Sequence, residues 1–93
     1  MNEMTSVQVI VHGRVHDVFY RAFTTQRARE LGLTGYVRNL PDKTVQFRAE
    51  GERIRLEVLI DYPKMGPPGA SVKKVVTNWT DYTDNYSSFN MRY

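Results

Sequence analysis

The segment Gly13-Arg14-Val15-His16-Asp17-Val18-Phe19-Tyr20-Arg21 joins a strand-like stretch to a helix-like one. A chain entering a helix exposes backbone N–H groups without intrahelical partners, and the positive end of the helix dipole lies among them. Such an entry is a natural phosphate cradle. Arg21 falls in the first turn, where the dipole disfavours a cation, and a bound anion reverses that penalty. Asn39, which closes Tyr36-Val37-Arg38-Asn39, offers a donor and an acceptor on one side chain. It can therefore hold a water with a lone pair aimed outward. Each residue also has a simpler use taken alone: Arg21 as a solvated surface cation, Asn39 as a strand end that opens a turn.

Two histidines fall near this loop. His12 and His16 are four residues apart, but they flank a glycine on a strand and a loop, so the spacing does not give them one helix face. With no cysteine and no clustered third ligand, an accidental pair is the expectation and no metal or cofactor is expected. His16 beside Asp17 could form a hydrogen-bonded pair that titrates near neutrality.

The elements that would position these residues follow from periodicity. Val7, Val9 and Val11 alternate with Gln8, Ile10 and His12, as in a strand with one buried face, and Arg14 to Val18 reads as loop. From Phe19 to Leu31 a helix is expected, with Tyr20, Phe23, Thr24, Ala28 and Leu31 on one side, Arg27 intruding, and Gly32 as C-terminal cap. Thr34–Asn39 and Thr44–Glu50 read as strands joined by the turn Leu40-Pro41-Asp42-Lys43, in which Asp42 bonds the backbone just ahead. Glu52–Tyr62 is ambiguous. Ile54, Leu56, Val58, Ile60 and Tyr62 alternate, yet Leu56, Leu59, Ile60 and Pro63 form a helical stripe and Arg53 can pair with Glu57. Helix is chosen, because a third consecutive strand would leave a large sheet too bare. Gly66-Pro67-Pro68-Gly69 is a connector, Val72–Trp79 a strand, Thr80–Ser88 a loop, and Phe89–Tyr93 a short last strand. The order is that of an α+β, ferredoxin-like βαββαβ sandwich with an extra C-terminal strand: an antiparallel-dominated sheet with two helices on one face.

Bulk properties limit the function classes. Ninety-three residues suit one domain, 1–93. Without cysteines, disulfides and thiolate chemistry are excluded. No apolar run exceeds three residues and no secretory leader is visible at the N-terminus, so the cytoplasm is expected and a membrane is not. The net charge of +3 comes from scattered Lys and Arg, with Lys73-Lys74 adjacent, so no nucleic-acid partner is expected. Trp79 and the six tyrosines read as packing residues.

Val11-His12-Gly13-Arg14-Val15 through Arg21, followed by Gly35-Tyr36-Val37-Arg38-Asn39-Leu40-Pro41-Asp42, resembles the paired signature of the acylphosphatase family. That family's motifs read V-x-G-x-V-Q-G-V-x-F-R and G-[WY]-V-R-N. The likeness extends to Ala49-Glu50-Gly51, to Gly66-Pro67-Pro68-Gly69-Ala70 and to Phe89–Tyr93, and the family fold is ferredoxin-like. The resemblance implies metal-independent hydrolysis of a small acyl phosphate to carboxylate and phosphate; a monomer is expected. It makes Arg21 the phosphate-binding arginine, Asn39 the holder of the nucleophilic water, and Val15, His16, Asp17, Val18, Phe19 and Tyr20 the phosphate-binding loop. The absence of a flanking domain argues against a module of a larger carbamoyl-phosphate-handling enzyme.

The sequence departs from the motif at three loop positions. His16 stands for Gln, Asp17 for Gly and Tyr20 for Phe; in the turn, Lys43 stands for a usual glycine. A carboxylate near phosphate is unfavourable, since two unit charges about 4 Å apart repel by about 4 kcal/mol at an effective dielectric of about 20. The alternative function is therefore an acylphosphatase-like anion- or protein-binding module impaired by Asp17.

Overall fold

The computed structural model describes residues 3–16, 20–65 and 69–92. In β1 (Met4–Arg14), Val7, Val9 and Val11 are fully buried while Gln8, Ile10 and His12 are half-buried, the alternation of a strand packed on one face. β1 pairs antiparallel with β3 (Val45–Glu52) on one side and with β4 (Ser71–Thr80) on the other. β2 (Thr34–Asn39) pairs antiparallel with β3 and parallel with β5 (Phe89–Arg92), giving the order β4-β1-β3-β2-β5. The inward valines of β1, with Val37, Val45, Phe47 and Ala49, form one core with Tyr20 and Ala28 of α1 (Tyr20–Glu30) and Leu56, Leu59 and Ile60 of α2 (Arg53–Met65). Both helices thus cover the same face of a mixed sheet, the expected α+β arrangement.

The strand runs farther than its alternation suggested. Residues 13 and 14, read as the start of a loop, continue the ladder after a register shift between His12 and Gly13, pairing Gly13 with Val72 and Arg14 with Ser71. The backbone at Gly13 has φ 132°, and a Cβ there would overlap the Ser71 carbonyl oxygen. The extra residue is Lys73, on β4, and only glycine at position 13 lets the two backbones come close enough to stay paired there.

Helix α1 ends as read, and the reason is visible. Gly32 (φ 69°) donates its N–H to Arg29 O at 3.1 Å and Leu33 to Ala28 O at 2.9 Å. These are the paired bonds of a Schellman motif, with buried Leu33 and Ala28 supplying its apolar contact. Arg27, which interrupts the apolar side, is half-buried, stacks over Phe23 at 5.4 Å and pairs with Glu30 at 2.9 Å. It covers apolar surface with its stem while keeping its charge partnered.

The ambiguity at 52–62 resolves to helix. Leu56, Leu59 and Ile60 are buried while Ile54 and Val58 face solvent, so the helical stripe prevailed over alternation. The expected Arg53–Glu57 pair forms at 3.2 Å, and Arg53 also stacks on Trp79 at 4.1 Å. On the opposite face of the sheet, the buried Glu50 carboxylate accepts Thr83 N–H (3.1 Å), Thr83 Oγ1–H (2.8 Å) and Asp84 N–H (3.0 Å). Three donors on one carboxylate strap the β4–β5 connection across that face.

Lys43 closes the β2–β3 turn with φ 70°. A side chain in the left-handed region costs about 1–2 kcal/mol, partly offset because glycine is more disordered when unfolded. Lys43→Gly is expected to raise stability by somewhat less than 1 kcal/mol, a shift of a few degrees in Tm for a domain of this size. Thermal unfolding of the two proteins checks this, and a lower Tm for the variant would show that Lys43 makes contacts that outweigh its strain.

Candidate active site

The registers bring several strand ends to one edge of the sheet. Val11 near the end of β1 and Asn39 at the end of β2 both pair with Val45, the first residue of β3, and Arg14 pairs with Ser71, the first of β4. Arg38 pairs with Arg92 at the end of β5. Helix α1 begins at this same edge. Arg21, half-buried in its first turn, donates from Nη1 to Arg92 O at 2.8 Å. Because Arg92 neighbours Arg38, this bond sets the guanidinium at the sheet end that carries Asn39, which is exposed. A guanidinium presents its donors in a planar fork, so a bond at one nitrogen aims the others. The first turn of α1 holds no acidic residue, and the helix dipole and Arg21 therefore reinforce each other as an attraction for anions.

The loop before α1 is fixed at both of its described ends. Val15 is buried in the core, and Tyr20 is buried at the first helical position. Burial pushes the Tyr20 hydroxyl far above its ordinary pKa, so the phenol stays neutral beyond the pH at which an exposed tyrosine ionises. His16 places Nε2 2.8 Å from Thr44 O, so its ring meets the hairpin; Asp17, the partner read for it from sequence, lies outside the described residues. The loop positions Asp17, Val18 and Phe19 lie outside the described residues, as do Gly66, Pro67 and Pro68 of the connector.

The hairpin that presents Asn39 is locked from within. Leu40 N–H donates to Thr44 O at 2.9 Å and Lys43 N–H to Leu40 O at 3.1 Å. Asp42 Oδ1 accepts from Thr44 N–H at 3.1 Å and Thr44 Oγ1–H at 2.5 Å, the backbone bond expected of an Asx turn. The Thr44 hydroxyl, then its amide, holds the Asp42 carboxyl below the usual carboxylate range, with His12 adding a smaller electrostatic contribution. Arg38 donates from Nε to Gln46 Oε1 at 2.7 Å and, with Arg92, lies over the Tyr36 ring. A groove of about 450 Å³ between α1 and β5, lined by Ala22, Thr25, Gln26, Arg29, Glu30 and Met91, contains none of the candidate site residues.

A family model described as Acylphosphatase matches residues 7–91. The chain belongs to the acylphosphatase family. A curated acylphosphatase of Marinobacter nauticus is 46% identical over 81 residues, covering 87% of this chain and 88% of that one. The structure of an acylphosphatase from Coxiella burnetii superposes with a TM-score of 0.91 at 38% identity, covering 98% of this chain and 94% of that chain. The crystal structure of the acylphosphatase from Bacillus subtilis gives 0.92 at 28% identity, covering 96% and 99%. Two contributors to this edge have no signal in the sequence: the Arg92 carbonyl, 71 residues from Arg21, and the Thr44 carbonyl, 28 residues from His16.

The lowered Asp42 pKa gives the turn a pH signature. A carboxylate depressed in the folded state stabilises the fold above its unfolded pKa, and that contribution disappears as pH falls through the folded value. The Tm gap between the protein and Asp42→Ala is therefore expected to be widest near neutrality and to narrow below about pH 4. A gap constant into strong acid would show that the turn does not favour the ionised carboxylate.

Proposed function

We propose that this acylphosphatase-family chain hydrolyses small acyl phosphates, with Arg21 and the loop amides of Val15 to Tyr20 holding the phosphoryl group and Asn39 holding the attacking water. The water oxygen forms a new bond to phosphorus as the bond from phosphorus to the acyl oxygen breaks, giving a carboxylate and inorganic phosphate. A carboxylate leaves readily without protonation, so the protein's work is to orient water and to stabilise charge on the phosphoryl oxygens. Arg21 and the amides do the second, acting from a helix entry whose dipole adds to their field. The Asn39 side-chain carbonyl accepts a hydrogen bond from the water and turns a lone pair toward phosphorus.

The observation that carries this reading is the 2.8 Å bond from Arg21 to Arg92 O, which draws the anion-binding side chain to the end of β2. Family membership favours a hydrolase over a binding module. No helix among the described residues is long and apolar enough to cross a membrane, and the setting we assign is a cytoplasmic monomer, residues 1–93 acting as one domain.

The test is hydrolysis of a simple aromatic acyl phosphate with excess chelator present. Turnover is expected to survive chelation and to fall about 10²–10³-fold in Arg21→Ala and Asn39→Ala, the usual effect of removing one preorganised donor. Asp17→Gly is expected to bind phosphate more tightly, because a carboxylate leaves the cradle. Unchanged rates in Arg21→Ala would remove the assigned site, and an inactive protein rescued by Asp17→Gly would favour the binding module.

A further inference from the structure

The His16 side chain crosses from the cradle to the hairpin. Its Nε2 lies 2.8 Å from Thr44 O, and because a carbonyl can only accept, Nε2 carries a proton in the neutral ring as in the imidazolium. The same oxygen accepts the Leu40 N–H at 2.9 Å, one residue beyond Asn39. The ring and the residue following Asn39 thus meet on a single atom. That atom has little freedom, since Thr44 is buried and tied through its amide and hydroxyl to Asp42. On the other side, Val15 is packed in the core, which fixes the direction in which residue 16 leaves the backbone.

We propose that His16 is a positioning residue: its Nε2–H bond to Thr44 O fixes Val15 and His16, where the cradle begins, against the Asn39 hairpin and so sets the distance between phosphorus and the held water. This rests on the function assigned above. In-line attack needs the reacting atoms about 3–3.5 Å apart and aligned. The two halves of the site belong to segments that are neighbours only through folding, and the Arg21–Arg92 bond ties the helix to β5 rather than the loop to the hairpin. His16 supplies that second tie. Any side chain of similar reach ending in an N–H serves, and glutamine is one.

Steady-state hydrolysis of an aromatic acyl phosphate by His16→Ala, His16→Phe and His16→Gln tests this, with inorganic phosphate as competitive inhibitor and Tm measured for each protein. His16→Ala and His16→Phe are expected to lose about 10–100-fold in kcat, the scale of a misplaced reacting pair, while the inhibition constant for phosphate stays close to that of the parent. His16→Gln is expected to recover most of the rate. In an Asn39→Ala background, His16→Phe is expected to cost little more, because both changes act on the held water. Parent-like kcat in the Ala and Phe variants, a Gln variant as slow as Ala, phosphate affinity falling in step with kcat, or additive losses with Asn39→Ala would each overturn the proposal. If Arg21→Ala and Asn39→Ala themselves turn over normally, the assigned site fails. If they collapse while His16→Phe does not, this inference alone fails.

Discussion

The buried valine face of β1 is the constraint from which the site follows. Val7, Val9 and Val11 have no exposure, and sliding β1 by one residue against either neighbour would turn all three outward. Burying each such side chain contributes on the order of 1.5–3 kcal/mol, so a slipped register is strongly disfavoured. With the register fixed, Val11 and Asn39 are both opposite Val45, and Arg14 is opposite Ser71. The ends of β1 and β2 then coincide without any contribution from the residues that would meet substrate. Core packing on one side of the sheet decides that Asn39 and the chain leading into α1 are found at the same end.

Electrostatically that edge is built against its own stability. Arg21 occupies a helix start that has no acidic residue, and Arg38 and Arg92 are register partners of like charge. Like charges directly opposite on a sheet are destabilising. The fold disperses part of this by placing both guanidiniums over the Tyr36 ring, at 5.9 and 3.9 Å, and by giving Arg38 a neutral amide partner, Gln46. A ring face softens a cation without neutralising it, so the positive field at the edge persists. Neutralising these groups with carboxylates would make a more stable protein and a poorer anion site.

Much of this was legible in the sequence because it is local. Alternation gave β1, the glycine after Leu31 gave the helix end, and the helical stripe at Leu56, Leu59 and Ile60 gave α2 once the need to cover the sheet was weighed. Arg21 and Asn39 were singled out by residue type and joined by resemblance, and the fold sets both at the same end of the sheet. What was not legible is non-local or depends on backbone angles. The bonds from Arg21 to Arg92 O and from His16 to Thr44 O end on carbonyls, which every residue possesses, so no side-chain pattern announces them. The continuation of β1 past Gly13 was hidden because an interruption of alternation reads as the end of a strand, whereas here β4 carries one extra residue, Lys73, and the ladder resumes one step out of phase.

The motif departures differ according to what each position needs. At position 16 the contact is made by an N–H at the end of a side chain, which the histidine carries to the Thr44 carbonyl on Nε2. At position 20 the need is a large ring in the core; tyrosine provides it, and burial keeps its hydroxyl neutral. At position 43 the need is a backbone conformation, which lysine adopts only under strain. A substitution that preserves the contacting atom leaves geometry intact, and one that opposes a backbone angle reduces stability without moving the site, because the turn is held independently by Asp42 and Thr44. Local geometry here therefore depends on a few atoms with fixed positions, and residue identity matters as far as it supplies them.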